Sequence, residues 1–329
     1  MKKLQNEREH LVEQAIDGYA RAHRDVLSHV PGTYIIERRV PKAPGKVRLA
    51  MGNGSGHEPA VIGWVGTGMF DMNIDGEVFT APSGKAIFQG LKWLCQDGPA
   101  ILFVQNHAGD VLNADIAMEL AEEAQLPVKS VLFYDDIASA PKGMESERRG
   151  MAGMIFYAKI CGAMAERGAT TDEIIAMFER VRDATRTLSV AITTATHPVT
   201  GLPMGDDLGG DIEVGMGVHG EGGASRMPLP TSRELAALLC ERLIADGEYA
   251  QGDQLLVMVN GAGSMTMMEM ATLYGDIEDE LKRRGIAVAG CKVGNFLTTQ
   301  EMSGVSVSFA KVDEQMLALW NDPCDAPAF

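Results

Sequence analysis

The sequence predicts an α/β protein built as two α/β domains, with mainly parallel or mixed sheets and helices packed on them. Three observations predict it. Short apolar runs, such as Ala100–Gln105 (AILFVQ) and 254–260 (QLLVMVN), have the unbroken character of strands buried on both faces. Stretches with apolar residues at helical spacing lie between those runs. The strand series restarts near residue 187, after a pair of helices, and 329 residues suffice for two ordinary domains. The break is therefore expected there, with residues 1–187 as an N-terminal domain and 188–329 as a C-terminal one.

The elements follow in order. Leu4, Leu11, Val12, Ala15, Ile16 and Tyr19 recur at helical spacing among charges, which predicts an amphipathic helix over 4–23. GTYIIERRV (32–40) is extended, and 41–45 breaks it. The stretch 46–51 alternates like a strand and runs into a glycine-rich loop over 52–56. EVFTAPSGK (77–85) ends as a loop. The strand 100–105 leads through NHAGD into a helix over 114–124, and a strand over 128–134 ends on Asp135 and Asp136. Helices are expected over 150–167 and 172–187, the second capped by Thr171 with Glu173 in its first turn.

The second half opens with a strand over 189–196, a loop carrying His197 and Gly201, and a strand over 212–218 that ends at His219. A helix over 232–246 has Thr231 or Ser232 as its cap. The strand 254–260 and a turn at 261–263 precede a Met-rich helix over 265–284, whose Met265, Met267, Met268 and Met270 read as core fillers. Strands over 286–291 and 305–311, the latter with clean alternation, and a short helix over 316–320 complete the chain. There is no internal repeat and no low-complexity tract.

A formal net charge of -16 repels phosphate backbones and anionic membranes, so neither nucleic acid nor membrane is expected as a partner. The five cysteines are widely spaced with no CxxC, which argues for buried free thiols in a reducing cytosol and for no metal site. MKKLQNEREH is followed by no apolar h-region, and no apolar stretch approaches the roughly 18 residues of a membrane span. The expected location is cytoplasmic.

Two nucleotide motifs fail on inspection. GMGVHG (215–220) matches the G-x-G-x-x-G pattern, but EGGASRMPLP follows, which cannot open the helix that a pyrophosphate needs. PSGKA (82–86) lacks the earlier glycine and the later hydroxyl of a phosphate-binding loop, because position 79 is Phe and position 86 is Ala. What remains is a set of polar residues at strand ends: His57 and Glu58 in GSGHEP, Asn106, His107 and Asp110 in NHAGD, and His219 in VHGE. Each alone reads as an ordinary loop residue. Together they read as a ligand site at the carboxyl ends of strands.

The stretches MGNGSGHEPAVIGWVGTGMFD, GEVFTAPS, QNHAGDVLNAD, FYDDIA, RRGMAGMIF and EVGMGVHGE also carry a resemblance. In this order they are similar to the dihydroxyacetone-binding subunits of the dihydroxyacetone kinase family, and the match runs from MKKL to VDEQMLALWNDP. The resemblance implies a kinase half-enzyme that binds a short-chain ketose and acts with a separate nucleotide-binding kinase subunit (DhaL-type). The family's covalent histidine falls on His219, which attacks the ketone carbonyl to form a hemiaminal. Its acid/base groups fall on His57 and Asp110, and its ketose-contacting loop on Gly54, Ser55, Gly56 and His57. The resemblance further implies no cofactor on this chain, Mg and ATP or ADP on the partner, and a homodimer.

The chemistry is sound. Imidazole is a competent nucleophile toward a carbonyl, and a covalent bond holds a substrate that offers few contacts. Glycerol, with no carbonyl, is excluded. The glycines around His219 read as clearance for the ketone. Two positions depart from the family pattern: Gln105 stands where a ketose-contacting lysine is common, and Asn53 where a third glycine is usual. Dihydroxyacetone and a four-carbon ketose such as erythrulose both stay open as the substrate. His107 is an added titratable group in the pocket loop, with a capping or solvated role as the alternative. The alternative function is a non-catalytic ketose sensor that binds a transcription regulator; it would need only the capture histidine. An oxidoreductase reading rests on GMGVHG alone.

Overall fold

The computed structural model describes residues 3–329; Met1 and Lys2, which open the MKKL match, lie outside the described residues. The chain divides into two compact units. The first holds the residues up to Phe133, then Tyr157–Arg180 and Ala318–Phe329; the second holds Tyr134–Phe156 and Val181–Leu317. A single break near 187 was expected, and the units instead interleave along the chain. Periodicity marks a helix as amphipathic but does not say which sheet it covers.

The first unit begins with α1 (Leu11–Ala22). Its sheet uses β1 (Leu27–Val30), β2 (Ile35–Arg38), β3 (Arg48–Ser55), β4 (Met72–Val78), β5 (Ala100–Gln105) and β6 (Val128–Phe133) in the order β1-β2-β4-β3-β5-β6. β1, β2 and β4 pair antiparallel, whereas β4, β3, β5 and β6 pair parallel. α2 (Gly84–Leu94) and α3 (Ala108–Glu123) cover one face, where Ala50, Met72, Ile74, Leu91, Leu102 and Ala117 form a core. Each large aliphatic side chain so buried contributes about 1.5–3 kcal/mol. α4 (Met154–Glu166) and α5 (Thr171–Ala184) fall mostly in this unit.

Two differences from expectation bear on function. The glycines at 52 and 54 are strand residues of β3, not a loop. They stay in the ladder because Pro82 and Thr80 lie against them, where a Cβ would come within 3.0 and 2.7 Å. α3 begins at Ala108 rather than near 114, which puts Asp110 in its first turn. Elsewhere, the α5 cap is Thr170 rather than Thr171: Glu173 N–H donates to Thr170 Oγ1 at 3.4 Å.

The second unit has β7 (Thr185–Ala191), β8 (Asp211–Val214), β9 (Ser225–Pro228), α6 (Ser232–Gly247), β10 (Gln254–Gly261), α7 (Met267–Arg283), β11 (Ala287–Gly294), β12 (Gly304–Lys311) and α8 (Glu314–Trp320), which runs on to the first unit's last segment. Its sheet order is β11-β10-β12-β7-β8-β9. Only β10 and β11 pair parallel, so this sheet is mixed and mostly antiparallel. β12 is buried on both faces despite its alternation, because Ser308 bonds Thr187 and Ser306 bonds Asn260. Thr231 caps α6 in a capping box with Glu234, as expected of one of its two candidates, and Thr266 does the same for α7 with Glu269. Of the methionines in α7 only Met270 is buried, in line with Leu273, Ile277 and Leu281; Met267 and Met268 are exposed, on the solvent side of an amphipathic helix. Cys161 and Cys240 are buried thiols, but Cys291 is exposed on the edge strand β11. Among the described residues, no helix is long and apolar enough to cross a membrane.

Candidate functional site

In the first unit, β3 and β5 are parallel neighbours, so the segments that follow them leave the same edge of the sheet. Gly54, Ser55, Gly56 and His57 lie at the end of β3, and Gln105 ends β5 with His107 and Asp110 just beyond. Ser55 Oγ donates to the Gly76 carbonyl at 2.8 Å and ties β3 to β4. Gly56, at φ +101°, donates its N–H to Glu58 Oε1 at 2.9 Å. His57 is 5% exposed, and its ring lies 5.0 Å from that of Phe79 at 57°. Burial raises the pKa of the Glu58 carboxyl, and burial followed by the Glu58 charge holds Asp75 well above the usual carboxylate range.

Asn53 is a strand residue of β3. It is buried, donates to the Gly54 carbonyl at 3.0 Å, and has Asp75 as its cross-strand partner. Gln105 is also buried, and its carbonyl accepts the His107 N–H at 2.7 Å. His107 occupies the N-cap position of α3 without a side-chain capping bond, so the capping role does not describe it. Asp110 sits where the open N–H groups of the first helical turn favour a carboxylate.

In the second unit, β8 ends at Val214 and Gly215, at φ +88°, turns the chain away four residues before the expected strand end. No helix opens until Ser232, as the failed dinucleotide motif requires. His219 is half-buried, and Glu221 holds it twice. The His219 N–H donates to Glu221 Oε2 at 2.8 Å, and His219 Nδ1 lies 3.2 Å from Glu221 Oε1. Burial opposes the Glu221 charge, but the His219 ring and the backbone N–H groups of Glu221 and His219 prevail and bring its pKa down to about 2. An ionised carboxylate only accepts, so Nδ1 is the donor in this pair, and the tautomer that this bond selects has its lone pair on Nε2.

The loop is anchored from below. Arg149 donates through Nη2 to the Gly215 carbonyl at 2.8 Å and through Nε to Asp136 at 2.9 Å. Thr299 donates to the Val218 carbonyl at 2.7 Å, and Ser189 to the Met216 carbonyl at 2.6 Å. A cavity of about 20 Å³ lies beside Met216, Gly217 and Val218, with Ser189, Asn260, Thr299 and Ser306 in its wall; it has room for one water.

The loop glycines are not clearance for a ligand. A Cβ at Gly217 would meet Glu221 Oε2 at 2.2 Å and Arg149 Nη1 at 2.4 Å, and one at Gly215 would meet the Ala138 Cβ at 2.4 Å. The protein itself fills that space. Glu221, Arg149 and Phe79 were missed as functional residues in the sequence. Glu221 had a signal, two residues after the histidine in VHGE; the other two had none without the fold.

A family model described as "Dak1 domain" matches residues 17–328. The chain is 39% identical over 331 residues to the "PTS-dependent dihydroxyacetone kinase 1, dihydroxyacetone-binding subunit DhaK" of Listeria innocua, covering 100% of each. It is 34% identical over 330 residues to an "L-erythrulose 1-kinase" of Mycolicibacterium smegmatis, covering 99% of this chain and 57% of the relative. The solved structure named "Dihydroxyacetone kinase operon co-activator Dha-DhaQ" superposes with a TM-score of 0.91 at 28% identity, covering 96% of this chain and 97% of that one.

Proposed function

The chain belongs to the Dak1 family, and from that premise we propose that it is the ketose-binding subunit of a dihydroxyacetone-type kinase. It captures a short ketose on His219 and presents the ketose hydroxyl to a separate nucleotide-bearing subunit. The observation that carries the capture step is the doubly held His219–Glu221 pair. The Nε2 lone pair forms a bond to the carbonyl carbon. The carbonyl π pair moves to oxygen, which takes a proton from water, the ring gives up its Nδ1 proton in turn, and a neutral hemiaminal results. The positive charge developing on the ring is met by the Glu221 carboxylate, as in other carboxylate–histidine pairs.

His57 and Asp110 serve the substrate hydroxyl as acid/base groups, and Gly54, Ser55, Gly56 and Gln105 contact the ketose. A positioned hydroxyl and a base within reach supply what phosphoryl transfer asks of this side of the reaction. Mg with ATP or ADP belongs to the partner, the subunit works as a homodimer, and it resides in the cytosol. The substrate is dihydroxyacetone or a close three- to four-carbon relative; a Mycolicibacterium smegmatis relative is named an erythrulose kinase.

Crystals soaked with dihydroxyacetone should show density continuous with His219 Nε2, and His219→Ala should abolish capture. Unbroken solvent around the ring at saturating ketose would sink the covalent step. The likeness to the operon co-activator supports a second reading, a ketose sensor. Turnover by the unaltered chain with a nucleotide-bearing subunit separates the two: a kinase subunit turns over, and its Asp110→Asn variant keeps capture and loses turnover, whereas a sensor has no turnover with any nucleotide-bearing subunit.

A further inference from the structure

We propose that Phe79 is a positioning residue for His57: its ring fills the space left by glycine at position 56 and packs against the imidazole. Three alternate residues of the β3 end are glycines, and the segment 79–82 lies beside each. A Cβ at Gly52 would meet Pro82 Cγ at 3.0 Å, one at Gly54 would meet Thr80 N at 2.7 Å, and one at Gly56 would meet Phe79 Cε1 at 2.8 Å. The glycines therefore admit this segment, and they bring it close enough to touch the histidine. The Phe79 N–H donates to the Ser55 carbonyl at 2.8 Å, which fixes the segment to the residue two before His57.

Phe79 also has a backbone that a bulky residue rarely adopts, at φ +55°. Glycine or asparagine would take that conformation with less strain. What phenylalanine adds is the ring 5.0 Å from the imidazole, against a histidine that is 5% exposed. Strain retained beside a functional group is consistent with pre-organisation. The ring is a wall that limits the rotation of His57 and so sets where its nitrogens point.

This inference rests on the proton role proposed for His57. The test compares Phe79→Leu and Phe79→Tyr with His57→Ala, using dihydroxyacetone and a nucleotide-bearing partner subunit. Phe79→Leu should lower kcat by about tenfold or more, with KM and adduct yield at His219 changed less than about twofold. Phe79→Tyr, which keeps the ring, should restore kcat. If His57→Ala loses turnover and Phe79→Leu keeps it, Phe79 has no positioning role. If His57→Ala turns over normally, the proton role of His57 itself falls. Should Phe79→Leu not fold, Phe79→Tyr and Phe79→Trp decide: equal loss in both, with intact melting curves, overturns the ring-wall account.

Discussion

His57 and His219 both follow a strand and both sit among glycines, yet opposite chemistry holds them. His57 is buried against a phenyl ring at the end of a mostly parallel sheet. His219 is half-buried, and a carboxylate and a guanidinium occupy the space around Gly217 in its loop. An apolar wall fixes a ring by excluding volume and leaves its charge state to other groups. A carboxylate fixes the tautomer and favours positive charge on the ring. The difference matches the proposed division of labour: a nucleophile needs a defined lone pair, and an acid/base group needs a defined place.

The sharpest way to break this comparison is Glu221→Gln. The amide has one acceptor for two donors, so either the ring or the His219 N–H loses its partner. Turnover should fall by about 10²- to 10⁴-fold, with adduct yield falling alongside. Normal adduct yield in mass spectrometry would remove the charged half of the contrast. Arg149→Met comes next. It leaves Asp136 buried without its cation and should cost about 3–5 kcal/mol in urea denaturation. A loss below about 1 kcal/mol would show that the loop does not depend on this anchor.

Acid titration gives a smaller effect. The Glu221 pKa is lowered from 4.5 to about 2, so its contribution to stability is complete above pH 4.5 and is lost as pH falls toward 2. Glu221→Gln should lack that part of the acid slope, and identical slopes in the two proteins would contradict the His219–Glu221 bond. Thr299→Val is the mildest change. It removes one hydrogen bond to the Val218 carbonyl and should cost about 1 kcal/mol in a melting experiment, with capture intact.

Much of the fold was legible because continuous apolar runs are unambiguous. β5 matches AILFVQ residue for residue, and β10 and α6 fall within one residue of their expected bounds. β3 was misread because glycine signals a loop unless the neighbour that needs the space is known; here it is the segment 79–82. α2 was passed over because EVFTAPSGK ends in turn-forming residues, and one of them, Ser83, is the helix cap. Strand direction in the second unit was hidden, since alternation in 305–311 does not tell parallel from antiparallel. The histidines were visible as residue types at strand ends. What holds them was not, because Arg149 lies 70 residues before His219 in the chain.

The residues 318–329 carry a consequence for biosynthesis. Lys159 Nζ donates to the Leu319 carbonyl, Arg167 bonds Asp322, and the Gly66 side-chain position is filled by the Asp325 carbonyl. These residues are made after all the segments of the second unit, yet they complete the unit whose sheet was made first. The early sheet must wait for them with part of its surface uncovered, so vectorial synthesis cannot finish the units in order. A chain stalled shortly before Ala318 would have the segments of the second unit and an unfinished first one, and would be the species most in need of a chaperone.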